Sequence, residues 1–139
     1  MRNVAIKVID RVVLVAYGRG NPTDDEWAGY LDVIQRNGVD RTVQIIVTDG
    51  GEPTSAQRHR LNEVLAGRAV PVAVISRSAR VRGTVTALSW FNRKIKAFPP
   101  SGLREAIAYL EIPSTRADLI EAELRKLQTE VREGAWSGP

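Results

Sequence analysis

The stretch that most limits the fold comes first: VAIKVID (Val4 to Asp10) and RVVLVAYG (Arg11 to Gly18) are apolar, β-branched runs that meet at Asp10-Arg11. Branched side chains favour pleated backbone, and two such runs joined so tightly read as an antiparallel hairpin. Everything after the hairpin alternates. Thr23-Asp-Asp-Glu26 has capping-box spacing with acids in the first turn, and Trp27, Tyr30, Leu31 and Ile34 follow at helical spacing up to the stop at Asn37-Gly38. TVQIIVTD, Thr42 to Asp49, is a strand. A helix with Leu61, Val64 and Leu65 on its apolar face then runs to Gly67, and VPVAVIS, Val70 to Ser76, is apolar throughout, as suits a strand buried on both faces. A helix from about Ser78 to Asn92 and the strand IKAF (Ile95 to Phe98) follow, then a helix opened by Pro99-Pro100-Ser101 that carries Leu103, Ala106, Ile107 and Leu110. After Ile112-Pro113 a last helix starts near Thr115, with Ile120, Leu124, Leu127 and Val131 at four-three-four spacing.

This order predicts an α/β fold: a mixed sheet of four or five strands with an N-terminal β-hairpin and covering helices, and Leu14, Ile45, Val47, Val72 and Val74 in the core. The 139 residues suit one domain. Residues 1–112 are expected to form the α/β domain, 113–133 an amphipathic C-terminal helix and 134–139 a loose tail. With no cysteine, disulfides and thiol catalysis are excluded. No run approaches the roughly 18 to 20 apolar residues of a membrane helix, and the start MRNVAIKVID alternates, so a cytoplasmic protein is expected.

Net charge is +4, and 16 of the 20 basic residues are arginine, so the total says less than its distribution. Between Val64 and Arg104 there is no acid, while Arg68, Arg77, Arg80, Arg82, Arg93, Lys94, Lys96 and Arg104 make that segment +8 and leave the remainder −4. Such polarity steers anionic partners or favours association of two copies. Arg77, Arg80, Arg82, Arg93 and Lys94 are the candidate anion-binding residues. Nucleic acid is the weaker expectation, because Trp90, Phe91 and Phe98 are better explained as core than as stacking platforms.

The loop VTDGGEPTSAQRHRL, Val47 to Leu61, carries the remaining chemistry. Thr54-Ser-Ala-Gln57 has capping-box spacing, which makes Thr54 the helix N-cap, and Ser55 falls on the solvent side of the first turn. Gly50-Gly51 lacks the lysine and spacing of a P-loop. His59, the only histidine, lies between Arg58 and Arg60 on the face opposite Leu61 and Val64, with no orienting carboxylate evident, so neither a nucleophilic triad nor a metal site is indicated. No cofactor or catalytic role is expected.

The element order resembles that of the STAS family, the domain of sulfate transporters and bacterial anti-sigma factor antagonists, and of its SpoIIAA-like relatives, over about Val4 to Leu110. In the antagonists a loop after the third strand reads Asp-Ser-Ser/Thr-Gly and carries a hydroxyl phosphorylated by a partner kinase. The corresponding loop here is Asp49-Gly-Gly-Glu-Pro-Thr-Ser55, with Ala56 where the motif has glycine, which points to the divergent SpoIIAA-like branch. The resemblance implies a bacterial regulatory or scaffolding domain acting by protein contact, with Asp49, Gly50, Gly51, Thr54 and Ser55 as a candidate switch loop.

A response-regulator receiver is the rival α/β pattern, because Asp49, Ser76 and Lys96 fall near the ends of successive strands. It lacks the acidic pair after the first strand and the helix between the first two strands. The helix SARVRGTVTALSWFN adds a possible contact surface: Val81, Val85 and Leu88 form its core stripe, whereas Ala79, Gly83, Thr86, Ala87 and Trp90 form a small-residue face for a partner, foreign or a second copy. The alternative function is a binding module for an anionic small molecule or lipid headgroup using the basic segment 64–104.

Overall fold

A computed structural model describes residues 2–88 and 94–135. Strands β1 (Val4–Ile9) and β2 (Val12–Tyr17) form the antiparallel hairpin, with Ile9 opposite Val12 and Asp10 in the left-handed region at φ 54°. Aspartate tolerates that conformation better than most residues with a Cβ. Helix α1 (Asp24–Asn37), strand β3 (Val43–Thr48), helix α2 (Ser55–Leu65), strand β4 (Val72–Ile75), helix α3 (Ala79–Leu88) and strand β5 (Ile95–Phe98) follow in turn. Helices α4 (Leu103–Tyr109) and α5 (Ala117–Ala135) close the chain. The five strands lie in sequence order, and every pairing after the hairpin is parallel.

That order dictates where the helices go. Three successive crossovers step along the sheet in one direction, and right-handed crossovers then put their helices on one face. Trp27, Tyr30 and Ile34 of α1 accordingly pack on Val13, Val15 and Tyr17, with Leu61, Val64 and Leu65 of α2 beside them. The opposite face would be bare without the C-terminal helices. Ala106 and Ile107 of α4 and Ile120, Leu124, Leu127 and Val131 of α5 cover it, packing with Leu14, Ala16, Ile45, Val47 and Ile75. Burial of β2 on both faces follows, as its unbroken apolar run requires.

Of the five expected core residues, Leu14, Ile45, Val47 and Val74 are buried and Val72 is partly buried. The stripe on α5 therefore belongs to the chain's own core. Lys7 of edge strand β1 reaches the Glu123 carboxylate of α5 at 3.1 Å, which ties the open edge to the covering helix. Helix α5 runs to Ala135, two residues into the expected tail, and residues 136–139 lie outside the described residues.

Candidate functional site

The loop between β3 and α2 is pinned at both ends. Thr48 accepts a hydrogen bond from the Gly50 amide at 3.0 Å and donates from the same hydroxyl to the Gly51 carbonyl at 2.8 Å, wrapping the first turn around one side chain. Gly50 has φ 127°, which favours glycine. Gly51 is glycine for a different reason: its amide donates to the Gly18 carbonyl at 2.8 Å, and a Cβ there would overlap the Gly20 carbonyl oxygen.

At the far end the capping box forms with both of its bonds. Thr54 Oγ1 accepts from the Gln57 amide at 3.2 Å, and Gln57 Oε1 accepts from the Thr54 amide at 3.0 Å. Gln57 is buried and does more than cap: its Nε2 donates to the Pro22 carbonyl at 2.9 Å and to Asp24 at 3.2 Å, while the Trp27 indole donates to the Gln57 carbonyl at 2.8 Å. The first turns of α1 and α2 are thereby bolted together. Sequence spacing gave no sign of these cross-helix bonds, because a glutamine three residues after a cap is explained by the cap alone.

Ser55 is exposed one position beyond the cap, as its place in the first turn implied. Arg58, one turn on, donates from Nη2 to Ser55 Oγ at 3.1 Å and from Nη1 to the Pro53 carbonyl at 3.0 Å. A guanidinium thus stands against the one loop hydroxyl that no backbone amide has claimed. His59 also points to solvent, but Glu63 one turn later lies 3.1 Å from its Nε2, so a carboxylate partner does exist. Both groups are exposed on α2, and the Ser55 hydroxyl one turn before His59 is hydrogen-bonded to Arg58 instead.

Asp49 takes a partner that spacing did not indicate. Arg132 of α5 grips both of its carboxylate oxygens, and the Asp49 hydrogen bond raises the basicity of that guanidinium. Asp49, Ser76 and Lys96 do not gather as in a receiver. Ser76 is buried at the end of β4, where its hydroxyl donates to the Thr48 carbonyl at 3.2 Å, whereas Lys96 pairs in register with Ala73 and lies over the rings of Phe98 and Tyr109.

On α3, Ala79, Gly83 and Thr86 are exposed, Val85 is buried and Val81 is partly so. A Cβ on Gly83 would meet nothing within 4 Å. The side chains of Ala87 and Leu88, and residues Trp90, Phe91 and Arg93, lie outside what is described. The basic residues diverge. Arg77 follows β4 at its carboxyl end, Lys94 precedes β5 at the amino end, Arg80 is exposed on α3, and Arg82 donates to the carbonyls of Ser76 at 2.8 Å and Arg77 at 3.1 Å. Among the described residues no group of three or more His, Cys, Asp or Glu could hold a metal ion, and no helix is long and apolar enough to cross a membrane.

A crystallised protein shares this fold. An uncharacterized DUF3478-family protein from Shewanella loihica PV-4, reported with a SpoIIAA-like fold, matches 77% of this chain and 91% of its own at a TM-score of 0.54 and 16% identity. The fold is SpoIIAA-like. At that identity the likeness establishes the fold alone. No family model matches the sequence, and a search of curated proteins finds no match. Within the SpoIIAA-like frame the loop from Asp49 to Ser55 occupies the position after the third strand that the STAS resemblance singled out.

Proposed function

We propose that this chain is a non-enzymatic regulatory or scaffolding domain of the bacterial cytoplasm that acts by binding protein. The contact surface is the Asp49–Ser55 loop together with the exposed small-residue face of α3, and Ser55 is its phosphorylation switch. The carrying observation is the pairing of Ser55 with Arg58 on an otherwise locked loop. Thr54 is committed to its cap, so modifying it would cost the helix its first-turn bond. Phosphate on Ser55 would instead meet a guanidinium already in place and the favourable end of the α2 dipole, so charge changes while the fold is kept.

Binding of anions across the whole basic segment has less support, because Arg77 and Lys94 stand at opposite ends of the strands and Arg82 is spent on backbone carbonyls. Partner capture by wild type, Ser55→Ala and Ser55→Asp, with melting measured alongside, tests the switch. The expected result is altered capture by Ser55→Asp at unchanged stability. Equal capture by all three removes the switch. Gly83→Glu puts a charge on the α3 face at a position with free space, and should weaken capture or, if the partner is a second copy, shift sedimentation toward monomer.

A further inference from the structure

The carboxyl ends of β2, β3 and β4 open onto a cleft of about 660 Å³. Three arginines line it from separate parts of the chain: Arg19 after β2, Arg77 after β4 and Arg132 from α5. Among the described residues one acid lines it with them, Asp49, and Arg132 holds both of its carboxylate oxygens at 3.0 Å. The side chains of Arg19 and Arg77 have no hydrogen-bond or ion-pair partner among the described residues. Two positive charges are thus left unmatched in a concave site, where low-dielectric walls concentrate the field.

The neutral groups on the wall have the same polarity. Ser78 Oγ accepts from the Val81 amide at 3.2 Å, which leaves the hydroxyl hydrogen to be donated. The amides of Ala79 and Arg80, in the first turn of α3, have no acceptor within their own helix. Asp49 does not spoil the site for an anion, since its charge is already neutralised by a two-point pair.

We propose that this cleft binds a phosphoryl group carried on a small organic molecule, gripped by Arg19 and Arg77 beside the first turn of α3. Two unmatched guanidiniums balance a phosphate dianion, whereas one would suffice for a carboxylate, and their fork geometry suits phosphate oxygens. Size indicates an organic ester rather than the bare ion, because the cleft lies within the roughly 300–1,000 Å³ of small-molecule sites. Gly18 and Val131 provide apolar wall for the remainder of such a molecule. Of the basic side chains in the acid-free segment the site uses only that of Arg77, and it does not include Ser55, so it stands independently of the phosphorylation switch.

A soluble phosphate ester and a phospholipid headgroup offer the same group, and two arms separate them. The first titrates the full chain with inorganic pyrophosphate at low salt, following backbone amide shifts and melting. The second measures co-sedimentation with phosphatidylcholine vesicles containing a minor share of phosphatidic acid. The expected result is saturable pyrophosphate binding that shifts the amides of residues 18–19, 48–50 and 76–80, weakened about tenfold or more in Arg19→Ala/Arg77→Ala. Arg11→Ala/Arg60→Ala removes two other exposed arginines that have no partner among the described residues, and should bind as wild type does. All four side chains are exposed, so both double variants should melt with the wild type. Vesicle binding lost in the cleft variant, without pyrophosphate binding, assigns the phosphoryl group to a headgroup. No binding in either arm, or equal binding by the two double variants, overturns the inference.

Discussion

Arg132 and Asp49, separated by 83 residues, are joined by two hydrogen bonds of 3.0 Å each, so the end of the last helix is fastened to the first residue of the β3–α2 loop. Asp49 is 22% exposed and Arg132 52%, which places the pair between a surface bridge and a buried one. Asp49→Asn or Arg132→Ala should each cost about 1 kcal/mol, with a coupling that shrinks as salt is added. A double-mutant cycle from urea melts measures this. The apolar stripe matters far more: Leu124→Ala should cost about 2–5 kcal/mol, and truncation after Pro113 should abolish folding, because it uncovers β1 and β2 on the face that α5 packs against.

The capping network separates two neighbouring hydroxyls. Thr54→Ala should lose about 1 kcal/mol, while Thr54→Ser and Ser55→Ala stay close to wild type. Gln57→Ala should lose more than Thr54→Ala, on the order of 2 kcal/mol, since it also strips the buried Pro22 carbonyl of a donor. Thermal denaturation of the four variants ranks them. Equal losses for Gln57→Ala and Thr54→Ala would show that the cross-helix bonds add nothing.

Two glycines should respond oppositely to alanine. Gly51→Ala forces a methyl group to within 2.7 Å of the Gly18 carbonyl oxygen, so a loss of about 1–3 kcal/mol is expected, with a displaced loop. Gly83→Ala, in an open position inside α3, should gain about 0.5–1 kcal/mol from helix propensity. Chemical denaturation gives both signs in one experiment.

Glu26 contributes acid sensitivity. Desolvation raises its pKa, but hydrogen bonds from Thr23, Asn3 and Val4 outweigh that and leave the folded-state value below the ordinary 4.5. A depressed carboxylate pKa means that the unfolded chain binds the proton more readily. Its contribution is therefore complete above about pH 4.5 and fades as pH falls through the folded value. Glu26→Gln should be less stable than wild type by about 1–2 kcal/mol at neutral pH, and the difference should close on acidification below pH 4.5. Urea midpoints across that range check the convergence.

Local physics was readable in the chain. Asp10-Arg11 between branched runs made a hairpin, Thr23 and Thr54 with their partners three residues on made two capped helices, and the spacing of Trp27, Tyr30 and Ile34 chose the buried face of α1. Each of these depends on interactions within a few residues, which periodicity and turn chemistry report directly. The pairing of Asp49 with Arg132, the second use of Gln57 and the meeting of Arg19 with Arg77 were not readable, because each joins segments that only the sheet order brings together. The acid-free run from Val64 to Arg104 likewise gave the charge but not its place: the crossover through α3 runs from the carboxyl end of β4 to the amino end of β5 and so sets Arg77 and Lys94 apart. Local pattern was enough to set the hairpin and the buried face of α1, whereas which charges face one another depends on strand order and crossover handedness rather than on any local preference.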